Sequence, residues 1–227
     1  MSSDKLLIDW SAKKILRPQS LSQLLADHIR DLIVNCKIAP GSLISENDIA
    51  TQLNVSRTPV RAALQKLEME RLVQVIPQRG TFVFSFNAQE MQQTSEVRQI
   101  LEAGALTLAL RHDRQSLISL LERHLQWGRE ALERAPEDYR EADTAFHMAI
   151  IESSQNRDLI DFYQTNINRI RAFLNHLSRT REELESSQND HESIVELLRK
   201  EQDNEALEKL NWHLGGIQRI FQEKFGE

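Results

Sequence analysis

The sequence predicts a mainly α protein, with an N-terminal winged helix-turn-helix followed by an all-α helical bundle. Three observations carry that expectation. Only 7 Gly and 5 Pro interrupt 227 residues rich in Leu, Glu, Gln and Arg, a helix-forming composition. Apolar residues recur at intervals of three and four along most of the chain but at intervals of two between positions 72 and 85. Charge also divides the chain. Residues 1–86 hold 11 Lys and Arg against 8 acids, whereas residues 87–227 hold 17 against 26. The overall net charge of −6 therefore hides a basic head on an acidic body, and only the head suits a polyanion. These shifts place boundaries at an arm over 1–18, a winged domain over 19–86 and a bundle over 87–227.

Residues 1–18 are polar and end at Pro18, with Ile8, Trp10 and Ile15 spaced to dock on the body. The first helix is expected over 20–36, where Leu21, Leu24, Leu25, Ile29, Leu32 and Ile33 share a face with His28. Cys36 closes that face as a buried, inert thiol; as the single cysteine it excludes an internal disulfide and fits a reducing cytoplasm. Ala39-Pro40-Gly41-Ser42 supplies turn chemistry, and Leu43-Ile44 a short strand. Ser45 then caps a second helix, with Asp48 in the capping-box position and Ile49, Ala50 and Leu53 inward. Asn54 marks a turn that uses its tolerance of left-handed backbone.

A third helix opens at Ser56-Arg57-Thr58-Pro59-Val60-Arg61 and runs to about Arg71. Ser56 is expected to cap it through its hydroxyl, and Pro59 is harmless in a first turn. Arg57 and Arg61 lie four apart on one face, opposite Val60, Leu64 and Leu67. Strands at 72–76 and 81–85 follow, joined by a hairpin turn at Pro77-Gln78-Arg79-Gly80. A helix with arginines at its front end beside a wing tipped by Arg79 and Gly80 suits double-stranded DNA. The guanidinium fork matches phosphates and guanine edges, and glycine lets backbone approach closely.

Beyond a polar joint at Asn87 the chain reads as helices over 88–111, 115–134, 137–153, 157–184, 190–200 and 203–224. Asp113, Asn156 and Asp203 are the expected caps, and Pro136 a first-turn residue. On the third of these helices Asp143 and His147 share the stripe of Tyr139, Ala142, Phe146 and Ile150. His191 lies on the face of Ile194, Val195 and Leu198, and His213 in the row of Leu210, Leu214 and Ile217. Unpartnered burial of a carboxylate and three imidazoles is costly. One shared divalent cation would satisfy all four, Zn²⁺ by preference with Ni²⁺ or Mn²⁺ also suited; separate hydrogen bonds are the alternative. His124 reads as a core or pocket-wall histidine. Arg98 falls on the inward face with Met91, Leu101 and Ala105. It needs an anion, either Glu102 one turn on or the carboxylate of a small ligand.

Leu53-Asn-Val-Ser-Arg-Thr-Pro-Val-Arg61, Arg71-Leu-Val and Gln78-Arg79-Gly80-Thr-Phe-Val resemble the DNA-binding domain of the GntR family of bacterial transcription regulators. The second half is similar to the all-helical effector domain of its FadR subfamily, which often carries an Asp-xxx-His on one helix and two later histidines. The resemblance implies that Arg57, Thr58 and Arg61 meet the operator, with Gly80 in the minor groove; Ser56 and Arg79 beside them complete the six residues expected to bind DNA. It implies a homodimer on an inverted repeat, metal ligation by Asp143, His147, His191 and His213, and an anionic effector on Arg98. Ala62 and Asn47 depart from the residues that relatives often place there, which bears on the operator sequence. The resulting expectation is a cytoplasmic ligand-responsive regulator, a repressor by analogy and not an enzyme, that answers a small organic acid. A metal-ion sensor is the first alternative. A metal-dependent hydrolase is the second, but no Glu follows a ligand in an HExxH-like arrangement.

Overall fold

The computed structural model describes residues 20–176 and 180–225, apart from the side chains of 136, 137 and 225. The arm expected over 1–18 lies outside the described residues. The elements run α1 (Leu21–Val34), β1 (Leu43–Ile44), α2 (Glu46–Gln52), α3 (Arg57–Met69), β2 (Val73–Ile76), β3 (Gly80–Val83), α4 (Ala88–Arg134), α5 (Pro136–Ser153), α6 (Arg157–His176), α7 (Arg181–Arg199), α8 (Asp203–Leu214) and α9 (Gly216–Phe225). None of the described helices is long and apolar enough to cross a membrane.

The head is a winged helix-turn-helix, as its periodicities imply. Leu25, Ile29 and Ile33 of α1 pack with Val60, Leu64 and Leu67 of α3 in a core closed by Leu72, Val73 and Val83. Ser20 and Ser45 cap α1 and α2 through their hydroxyls, and Asn54 adopts φ +52° in the turn. The sheet has the order β1-β3-β2, all antiparallel, with Leu43 opposite Phe82 and Val73 opposite Val83. At the wing tip Gly80 has φ +113°, and a Cβ built there would sit 2.8 Å from Leu43 Cδ1. The backbone conformation therefore requires glycine, while the exposed Leu43 side chain could swing aside. Gly80→Ala is expected to cost about 1–3 kcal/mol, read as a lower denaturation midpoint with an unchanged slope.

Three local expectations for the head need correction. Leu53, expected inward with Ile49 and Ala50, is the C-cap of α2 and exposed. Ser56 occupies the N-cap of α3 with extended backbone, but its side chain makes no capping bond. The backbone alone turns the chain there, and the exposed hydroxyl stays free for another acceptor. Cys36 is not on a helix face. It lies two residues past α1 at φ +53°, where its Sγ donates to the carbonyl of Ala172 at 3.4 Å. Burial raises its thiol pKa, so it is a weak nucleophile.

The body buries one large core drawn from α4 to α9. Asn87 caps α4, and at Asp113 the helix changes direction: φ −160° and ψ 91° interrupt it while the carboxylate receives the Ser116 N–H. The expected break between 111 and 115 is thus a kink inside one long element. Asn156 caps α6, and Pro136 opens α5. Three expectations for the later helices are overturned. α6 ends at His176, and Thr180 starts α7 through a reciprocal capping box with Glu183, so no helix spans 157–184 and none begins at 190. That Thr-x-x-Glu signal outweighs the apolar periodicity which continues through it. The helix expected over 203–224 is divided at Gly215 into α8 and α9. Asp203 is the first residue of α8, not its cap; it anchors that helix by accepting both arms of Arg114 at 2.8 and 2.6 Å.

Head and body meet along α6. Ala172 joins the winged core, Asn175 Nδ2 donates to the Val34 carbonyl at 2.8 Å, and Phe173 meets Phe86 edge-on at 5.1 Å. Arg169 is buried under Phe84, its guanidinium 5.3 Å from the ring centre. The α6 helix is therefore the strut on which the winged domain stands.

Candidate metal centre and nucleic-acid interface

The inward polar residues converge. Asp143 and His147 lie one turn apart on α5, His191 in the middle of α7 and His213 at the end of α8. Their ligand atoms all fall within 4.8 Å of one another, and Asp143, His147 and His191 are buried. The three imidazoles present the same nitrogen to a common centre: Nε2 of His191 is 3.2 Å from that of His147 and 3.0 Å from that of His213, which lies 3.3 Å from His147 Nε2. The Ser187 hydroxyl donates to Asp143 at 3.1 Å.

The outward nitrogens explain this convergence. His147 Nδ1–H donates to Glu102 at 2.7 Å, His213 Nδ1–H donates to Asp190 at 3.2 Å, and His191 Nδ1 faces the Tyr139 hydroxyl at 3.5 Å. Protons on Nδ1 of His147 and His213, held there by carboxylates, leave two Nε2 lone pairs facing one another and the Nε2 of His191, an arrangement that one divalent cation would satisfy. Nitrogens bound at about 2.1 Å stand about 3.0 Å apart at a right angle and about 3.4 Å apart at the tetrahedral angle. The spacing observed, 3.0–3.3 Å, falls within that range. The donor set therefore fits a divalent ion better than it fits three independent hydrogen bonds.

Around the donors lies a second ring. Glu102, fully buried, accepts from His147, from the Tyr163 hydroxyl at 2.8 Å and from Arg98 Nε at 2.6 Å. Burial opposes its ionisation, but Arg98 and His147 outweigh it and hold the carboxyl at a pKa of about 2. Burial likewise disfavours the Arg98 cation, but Glu102 raises its pKa further. Burial lowers the His213 pKa against the pull of Asp190, keeping the imidazole in the neutral form that metal ligation needs. Phe146 stacks on His191 at 4.1 Å and fixes its ring.

Beside this cluster opens a cavity of about 360 Å³. Arg98, Asp143, Ser187 and His213 line it, with Trp212 and Arg219 among its other walls. Of the two anions weighed for Arg98, Glu102 is the one present and holds its Nε, and Arg98 also lines the cavity. His124 stands apart from the cluster, half-buried and tilted against Trp127.

Glu102, Asp190, Tyr139 and Tyr163 are the residues that sequence reading did not assign to the centre. Asp190 adjoins His191 in sequence, a usable signal. Glu102 was legible as a partner for Arg98 but not for His147, 45 positions away.

In the head, Ser56, Arg57 and Thr58 are exposed at the start of α3, and Gln78, Arg79 and Gly80 are exposed at the wing tip. Arg61 shares the exposed face, where its Nη2 reaches Glu46 of α2 at 3.0 Å. All six residues assigned to DNA lie on exposed surface, and the α3 start supplies free N–H groups there.

Residues 21–83 match the family model for bacterial regulatory proteins, gntR family, and residues 93–216 match that for the FCD domain. The HTH-type transcriptional repressor RspR of Escherichia coli (strain K12) is 31% identical over 205 residues, 88% of each chain. Among solved structures, a putative transcriptional regulator GntR from Rhodococcus sp. RHA1 superposes with a TM-score of 0.77 at 23% identity, over 90% of this chain and 98% of that one. Escherichia coli McbR/YncC gives 0.76 at 20%, over 91% and 99%.

Proposed function

Because the chain belongs to the gntR family of bacterial regulatory proteins, with an FCD domain as its second half, we propose that this transcriptional regulator is switched by a small organic acid bound beside a divalent metal ion. The observation that carries the reading is the meeting of three Nε2 atoms at 3.0–3.3 Å, two of them on imidazoles whose Nδ1 protons are held by carboxylates. Asp143, His147, His191 and His213 would hold the ion, Zn²⁺ by preference, and the ion would supply Lewis-acid attraction for ligand oxygens. Arg98 would clamp the ligand carboxylate with the arms of its guanidinium that Glu102 leaves over. The regulator acts in the cytoplasm as a homodimer on an inverted-repeat operator, the symmetric site that a two-fold protein reads. Each protomer sets Arg57, Thr58 and Arg61 in the major groove and Arg79 and Gly80 against the backbone or minor groove. Repression relieved by ligand is the expected sense.

The path from sensor to reader runs through α6. Tyr163 ties its first half to Glu102, which orients His147 and Arg98; Asn175 ties its last turn to α1. A ligand that prefers one placement of Arg98 and Glu102 would thereby prefer one placement of the winged domain. A hydrolytic alternative needs a base beside the ion. Glu102 is committed to Arg98, His147 and Tyr163, which favours regulation.

Arg98→Lys tests the reading while leaving Glu102 a cation, since lysine keeps the charge but loses the fork. The variant is expected to retain metal and operator binding while needing at least tenfold more ligand to release DNA, measured by fluorescence anisotropy with organic acids identified by native mass spectrometry. An unchanged ligand response would remove Arg98 from the effector site. Release of DNA by Zn²⁺ alone, titrated into metal-free protein, would make the ion the signal and overturn the organic acid.

A further inference from the structure

A second hollow lies in the cleft between head and body, bordered by Asp143 and Leu174, which also line the cavity beside the metal cluster. Its volume is about 300 Å³, and three parts of the chain wall it: Asn35 and Lys37 after α1, Arg140 and Thr144 on α5, and Arg171 on α6. Arg171 also borders the neighbouring hollow, which Arg30 and Glu70 of the head line on the opposite side. Arg30 is already satisfied by Glu70 and Asp27. Lys37, Arg140 and Arg171 are not: among the described residues none of them forms an ion pair, although Glu141 and Asp143 share the lining. Arg140 and Arg171 are half-buried, and Arg140 is near enough to Cys36 for its charge to act on the thiol.

Three cations against two carboxylates leave the lining with one positive charge in excess, and three cations that form no ion pair favour an oxyanion between them. Guanidinium forks on two helices with a lysine opposite match a tetrahedral dianion, which accepts bidentate bonds from each fork and a point charge from the ammonium. The concave shape and the two carboxylates in the lining disfavour the continuous backbone of a nucleic acid and admit a compact ligand. We propose that this interdomain hollow is a second ligand site, specific for a phosphoryl oxyanion, either inorganic phosphate or the phosphate group of a small metabolite. Lys37 belongs to the head, and Arg140 and Arg171 to the body. The bound anion therefore fastens the two domains in one relative placement and biases operator binding.

The test uses the full chain stripped of metal with a chelator, so that phosphate cannot act through the ion. Inorganic phosphate, compared with chloride at matched ionic strength, is expected to raise the melting temperature saturably and to give a one-to-one calorimetric isotherm. Arg140→Gln, Arg171→Gln and Lys37→Gln should each weaken the phosphate affinity at least tenfold while leaving the phosphate-free melting temperature equal or higher, since each relieves repulsion. A sugar phosphate binding more tightly than inorganic phosphate through the same three residues would identify a metabolite as the source; the reverse order would identify the free ion. The site is refuted if phosphate has no saturable effect, if the variants bind it like the parent, or if the effect appears only with metal restored. It is refuted equally if the variants lose affinity for duplex DNA in the absence of phosphate, which would assign the cations to the operator backbone. The variants leave Asp143 and the other candidate metal ligands unaltered, so the metal content of the loaded protein reports on the proposed metal centre separately.

Discussion

Alanine in place of His147 is expected to abolish stoichiometric metal retention and to lower the melting temperature of metal-loaded protein by about 10 °C. The magnitude follows from linkage. An ion present at about a thousand times its dissociation constant stabilises the folded state by about 4 kcal/mol, and in a chain of this size each kcal/mol moves the midpoint by about 2–4 °C. His147 is the sharpest choice because its two nitrogens serve two structures, Nε2 the convergent centre and Nδ1 the buried Glu102. Calorimetry with and without chelator separates the two contributions. The parent should lose most of its extra stability on chelation, and the variant should be insensitive to chelator. A variant that still carries one equivalent of metal would refute the assignment of the ligands. So would a parent whose midpoint ignores chelation.

Arg57→Ala should weaken binding to an operator selected from random duplexes by about ten- to a hundredfold and reduce the salt slope by about one ion. Arg57 is exposed at the front of α3, beside N–H groups that favour phosphate. Arg61→Ala should act in the same direction but less strongly, because in the free protein its guanidinium is held by Glu46 of α2 and must leave that carboxylate to reach DNA. Glu46→Gln releases the arginine and is expected to tighten binding in the Arg61 background while leaving Arg61→Ala unchanged. Anisotropy titrations across a salt series measure both affinity and slope. Equal affinity for parent and Arg57→Ala would show that this end of α3 does not face the groove.

The winged domain was legible because its signals are local: a period change at 72–85, turn chemistry at 77–80 and a cap at Ser45 that needs no distant partner. The convergence of Asp143, His147, His191 and His213 was legible for a different reason. Asp, His, His and His on otherwise apolar stripes are anomalies that a common partner or separate hydrogen bonds would resolve, and helical spacing placed each of them inward without knowledge of the others. Hidden from the sequence was the ring around them. Glu102 and Tyr163 reach the centre only through the packing of α4, α5 and α6, and no periodicity encodes a contact across 45 or 61 positions. The helix boundaries at 176–181 and at Gly215 were missed because apolar spacing continues across both. A capping box and one glycine decide them, and such signals are short against a long amphipathic run. Ser56 shows the opposite error, a cap by residue type whose hydroxyl makes no bond.

The order of these parts along the chain has a consequence in time. The winged core is built almost wholly from residues before Phe84, whereas the metal centre lacks a donor until His213 has been made. At about 5–20 residues per second, on the order of ten seconds separate the two during synthesis. A nascent protein is thus expected to hold a folded reader of DNA before it owns any sensor. Premature termination anywhere in that interval would leave fragments that engage the operator and answer no signal.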